Sequence, residues 1–169
     1  MDKKIKVHYL FSRNEKIGSF IIRKSTAVFE PTVNETPSHV ALLLDDKWVI
    51  ESTLETGFRI IGYKKWLELN EELYKIPCEQ EWTMVGIKEH YKPLKGKKYD
   101  YPGVLYFSWR VILYLLFRIS KPKKNRFNHD NKYFCCEVIS RMTGISYEMT
   151  APVELLVRIK SAIEEFKKQ

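Results

Sequence analysis

Apolar and polar positions are most clearly ordered in two runs, His39–Leu44 and Lys47–Ser52, which flank Asp45-Asp46 and read as a β-hairpin. The pattern selects a register. A three-residue loop with Leu43 opposite Lys47 gathers Val40, Leu42, Leu44, Trp48 and Ile50 on one coherent core face. The other face then carries His39, Ala41, Leu43, Lys47, Val49 and Glu51. A two-residue loop would mix Lys47 and Glu51 into the apolar set. In the favoured register His39 and Glu51 stand directly opposite, with Cβ atoms about 4.5–5.5 Å apart.

Around this hairpin the pattern predicts further elements. Lys6–Phe11 alternates well enough for a first strand, Ser12–Glu15 is turn-like, and Gly18–Arg23 is a short helix or a second strand. Thr26–Pro37 reads as a loop because Pro31, Asn34 and Pro37 fall within it. Gly57–Ile61 predicts a strand. Trp66, Leu67, Leu69, Leu73 and Ile76 lie at roughly helical spacing and predict a helix over Lys64–Ile76, ended by Pro77. Glu81–Ile87 reads as a strand and Lys88–Leu94 as a short helix.

Val104–Ile119 is the most apolar stretch, but Arg110 and Arg118 interrupt it and it is short for a membrane span. A buried or amphipathic helix is expected there, the alternative being an interfacial helix. Beyond Tyr133 and Phe134, the stripe Val138, Ile139, Met142 followed by Gly144 predicts a short helix with a glycine stop. A last helix begins near Thr150 as N-cap, with Pro152 in its first turn.

Composition narrows the class. A chain of 169 residues fits one domain over 1–169, and 44% apolar with 14% aromatic residues excludes disorder. The N-terminus is charged and runs into a strand, so no secretory signal is read and synthesis in the cytoplasm is expected. Three cysteines, two of them adjacent, make no disulfide framework and point to a reducing compartment. His39, His90 and His129 are scattered and no Cys/His spacing suits zinc, so no metal or other cofactor is expected. The net charge of +8 favours anionic partners: phospholipid headgroups, nucleic acid or acidic cell-wall polymer. Two basic runs, Lys92–Lys98 and Lys121–Arg126, read as solvated loops. No nucleic-acid motif accompanies them, so nucleic acid is not the expected partner.

The candidate chemistry lies in Phe134–Gly144. Cys135 and Cys136 fall in the first turn of the predicted helix, where unpaired backbone N–H groups and the helix dipole lower a thiol pKa. They read either as a nucleophile and its neighbour or as two small buried hydrophobes. The His39–Glu51 pair likewise has two readings. A carboxylate can orient an imidazole toward a nucleophile, or the pair can be a surface contact worth little. Cys78 reads as structural.

Ser38-His39-Val40, Val49-Ile50-Glu51-Ser52, Gly57-Phe58, Gly96-Lys97-Lys98-Tyr99-Asp100-Tyr101 and Phe134-Cys135-Cys136-Glu137-Val138 occur in that order. Together they resemble the circularly permuted NlpC-type papain-like cysteine hydrolases, the YiiX-like branch, with the lecithin–retinol acyltransferase group related by fold. The resemblance covers His39 to Ala151. It implies an α+β, papain-like fold: an antiparallel sheet packed against a helix with the cysteine at its N-terminus, and histidine preceding cysteine in the chain. The family's aromatic-Cys-Ser-Glu-Leu pattern matches Phe134, Cys135, Glu137 and Val138, with Cys136 where serine is usual. It therefore implies Cys135 as nucleophile, His39 as base and Glu51 as the residue orienting it, with Tyr99 and Asp100 in a supporting, substrate-binding role. The implied activity is hydrolysis of an amide in a cell-wall peptide, other peptide or isopeptide. The alternatives are a lipid-directed acyltransferase or thioesterase at an anionic membrane surface met through 104–126, or a non-catalytic binding module. A peptidoglycan substrate would imply delivery to the wall by lysis or in a phage particle.

Overall fold

A computed structural model describes residues 3–27, 30–119, 132–145 and 150–167. Among these the chain forms an α+β structure: a five-stranded antiparallel sheet with six helices. The strands are β2 (Val7–Arg13), β3 (His39–Leu44), β4 (Trp48–Thr53), β5 (Gly57–Gly62) and β6 (Glu71–Pro77), in the order β5-β4-β3-β2-β6. A two-stranded ladder joins β1 (Lys4–Ile5) to β7 (Trp82–Thr83). The helices are α1 (Ile17–Thr26), α2 (Tyr63–Leu69), α3 (Met84–Tyr91), α4 (Tyr101–Phe117), α5 (Cys135–Thr143) and α6 (Pro152–Phe166).

The central strands are apolar on both sides because both sides are covered. Val7, Tyr9, Phe11, Val40, Leu42, Leu44 and Ile50 face a large core shared with α5 and α6, where Val138, Ile139, Met142, Leu155 and Leu156 are buried. Leu10, Ala41, Leu43 and Val49 face a smaller core closed by Trp66 of α2. The expected core face of the hairpin is thus real except for Trp48, which is largely exposed at the far end of β4.

The hairpin register differs from expectation. Its loop has three residues, but they are Asp45–Lys47: Leu44 pairs with Trp48, Leu43 with Val49 and Leu42 with Ile50. Asp45 and Asp46 take left-handed φ values of 47° and 53°, which aspartate tolerates, and this moves the turn one residue along. Faces are conserved by the shift, but continuing the register sets Glu51 against Ala41 and makes His39 its diagonal neighbour.

Other boundaries are corrected too. The predicted helix over Lys64–Ile76 stops at Leu69, and Glu71–Pro77 becomes edge strand β6, paired along β2. Helix-forming Glu-Glu-Leu-Tyr-Lys yields there to an unpaired sheet edge, with Pro77 tolerated at the strand's end. The strand predicted over Glu81–Ile87 is only Trp82–Thr83; Thr83 then caps α3, accepting from the Gly86 N–H at 3.1 Å. The helix predicted over Lys88–Leu94 is the end of α3 followed by a 3₁₀ turn, Lys92–Leu94. Gly18–Arg23 is helical, within α1. The cap of α6 is Ala151 rather than Thr150, its N–H bonded at 3.0 Å to Glu154 Oε2. Helix α4 is not buried: only Gly103 and Val111 are fully covered. The run Lys121–Arg126 and His129 lie outside the described residues.

Candidate active site

Helix α5 starts at Cys135 because Phe134, in extended conformation, caps it, and Gly144 ends it at φ 69°. Its apolar stripe lies on β3 and β4, which fixes the helix start beside the first residue of β3, His39. The preceding segment is held by a short parallel bridge between Lys98 and Lys132, in which Tyr133 N–H donates to Lys98 O at 3.0 Å. Ser52 Oγ donates to Tyr133 O at 2.9 Å. Segments 98–100 and 132–135, far apart in sequence, therefore converge at one end of the sheet.

There His39, Glu51 and Cys135 come together. Glu51 Oε2 lies 2.8 Å from His39 Nε2, and His39 also partners the Cys135 sulfur. With Nε2 engaged by the carboxylate, Nδ1 is the nitrogen left for the sulfur. Glu51 is fully buried, and its second oxygen takes Arg59 Nε at 2.7 Å and Nη2 at 2.6 Å. Trp66 Nε1 donates to Oε2 at 2.9 Å. The carboxylate is thus oriented from three sides, as a buried charge must be to offset its desolvation.

Electrostatics follow from these contacts. Burial works against the charged form of His39, but its bonds to Cys135 and Glu51 and their negative charge outweigh it, raising the pKa to about 10. Burial would raise the Glu51 carboxyl, yet His39 and Arg59 hold it down at about 2. Cys135 is pushed well below an ordinary thiol, first by a hydrogen bond from Cys136 and then, against burial, by His39 and the Val40 backbone N–H. Cys136 moves the opposite way, raised well above an ordinary thiol by burial and by the neighbouring Cys135. The adjacent cysteines are therefore driven apart, Cys135 toward the thiolate and Cys136 toward the thiol.

Two cavities flank the pair. One, of about 40 Å³, is lined by Cys135, Phe134, Tyr99, Ser38 and residues of α1 and α4; the other, of about 280 Å³, reaches His39, Ser52 and Arg59. Tyr99 lines both, and its phenol is raised well above the ordinary value by burial and by the sulfurs beside it, so it stays a donor. Asp100 lines neither. It is buried and caps α4, accepting from the Gly103 N–H at 3.0 Å.

The sequence reading did not include Arg59, Trp66 or the Cys136–Cys135 bond. Arg59 had a signal, since Glu51 and Arg59 are opposite across the β4–β5 hairpin. Trp66 had none beyond its place in a helical pattern. Comparison with protein-family models, curated proteins and solved structures gives no match.

Proposed function

We propose that this protein is a cysteine hydrolase working by acyl transfer at Cys135, as the resemblance to permuted papain-like enzymes implies. The observation that carries this reading is the convergence of Cys135, His39 and buried Glu51 beside open cavities. The Cys135 thiolate attacks a carbonyl carbon, and the Cys135 N–H at the helix start supports the oxyanion. His39 gives its proton to the departing nitrogen, leaving an acyl-thioester. Water then attacks with His39 taking its proton, which releases the acid and restores the ion pair. Glu51 holds the imidazole in its tautomer, and Tyr99 presents a hydroxyl donor toward the same space.

An amide in a peptide, isopeptide or cell-wall peptide is the first substrate class. A second reading, a lipid acyl ester or thioester, is favoured by the apolar walls that Ile22, Val104 and Phe107 give the cavity at Cys135. The test is alkylation of each cysteine against pH, resolved by mass spectrometry, in the parent and in His39→Ala. Cys135 is expected to react fast well below pH 8.5 and to lose this with His39; a rate equal to that of Cys78 and indifferent to His39 would overturn the reading.

A further inference from the structure

We propose that α1 and α4 form a docking face for an anionic phospholipid bilayer, and that the groove between them leads acyl-chain substrates from that surface to Cys135. The second half rests on the hydrolase reading above; the docking itself does not.

The geometry begins with α4. Tyr101, Leu105, Trp109, Ile112 and Leu116 recur at helical spacing on one face and are all exposed, Trp109 by 57% and Leu116 by 68%. On α1, Ile17, Phe20 and Ile21 are exposed in the same manner. The two helices pack against each other, and Ile21, Tyr101 and Leu105 belong at once to these exposed stripes and to the lining of the larger cavity. The apolar surface is thus continuous with the space that reaches His39. An apolar stripe of this extent marks an interaction site rather than chance exposure.

Charge selects the occupant. Neither helix contains an acidic residue, while Arg23, Lys24, Arg110 and Arg118 lie along them. Lys24 sits over the Phe20 ring at 5.7 Å and Arg118 over the Tyr114 ring at 5.9 Å, so cations border the apolar stripes. In sequence, α4 is followed by Lys121, Lys123, Lys124 and Arg126. Aromatic and aliphatic side chains bordered by cations suit the headgroup–acyl boundary of an anionic leaflet. No described helix is long and apolar enough to cross a membrane, and the proposed docking lays α4 along the surface.

The test is flotation of the full chain with phosphatidylcholine vesicles, with and without phosphatidylglycerol, for the parent, Cys135→Ala and the double variant Trp109→Glu/Leu116→Glu. Parent and Cys135→Ala are expected to float with anionic vesicles only, and less in high salt. The double variant is expected to lose vesicle partitioning by about a hundredfold or more while Cys135 keeps its alkylation rate, which shows the site still folded. Absence of flotation for the parent, or flotation unaffected by the two glutamates, would overturn docking. A parent dimer that the double variant converts to monomer, without vesicle binding, would assign the face to a second copy instead. If docking holds but lipid esters are not cleaved, only the substrate half fails.

Discussion

The two halves of the site are built to opposite rules. On the sheet side the polar groups are enclosed: Glu51 is held by His39, Arg59 and Trp66, and apolar residues cover both sheet faces. On the α1–α4 side aromatic and aliphatic residues stand in water. A buried charge is retained at the cost of desolvation, and an exposed apolar stripe at the cost of hydration. On the proposed reading the first serves chemistry that needs a fixed imidazole, and the second a surface met in action. The proposed machinery is then in place before substrate arrives, whereas the proposed docking face is completed by what it binds.

The largest test of this contrast is Cys135→Ala. Turnover should fall to background while flotation and thermal stability stay near parent values, separating chemistry from surface. Glu51→Gln comes next. It should lower turnover by about 10²–10⁴-fold through loss of the oriented base. It should also destabilise the fold by about 3 kcal/mol, since Arg59 keeps its charge without the carboxylate. Denaturant titration beside kinetics reads both, and an unchanged kcat would reduce Glu51 to a structural role.

The pH profile sharpens the same side. His39 has a folded pKa of about 10 against an ordinary 6.5, so its charge stabilises the fold fully below about 6.5, and this is lost as pH rises through 10. Glu51, at about 2 against an ordinary 4.5, contributes above 4.5 and loses this as pH falls toward 2. Stability and activity should therefore both decline toward pH 10, where the imidazolium proton needed by the leaving group is gone. A profile flat through that region would contradict the ion pair.

Legibility in the sequence divides along the same boundary. The cysteine helix and its glycine stop could be read because periodicity and caps are local. The faces of the hairpin could be read because a register error of two preserves them, although the turn at Asp45-Asp46 lay one residue on. Strand β6 could not, because its helix-like composition is overruled by pairing with distant β2. For a related reason the sequence leaves open whether α4 is buried, amphipathic or interfacial. Apolar content alone does not tell a helix inside a core from one lying against its rim.

Gly57 offers a smaller, local test. Its φ is 66°, and an added Cβ would lie 2.5 Å from Lys97 O, the carbonyl that accepts from Phe58 N–H. Gly57→Ala should cost about 2 kcal/mol and loosen the 96–100 segment that carries Tyr99. KM is expected to rise more than kcat falls.

The smallest expected effect concerns Cys136. Pairing with the Cys136 thiol is the leading influence that lowers the Cys135 thiol. Removing the donor leaves His39, the Val40 N–H and the helix start in place, so the thiolate should survive with a higher pKa. In Cys136→Ala the acid limb of Cys135 alkylation should move to higher pH while the alkaline limb, set by His39, stays. Cys136→Ser supplies a hydroxyl donor in the same place and should return the limb toward the parent. If neither variant moves it, the thiolate owes its charge to His39 and the helix start alone, and the second cysteine is only a small buried side chain.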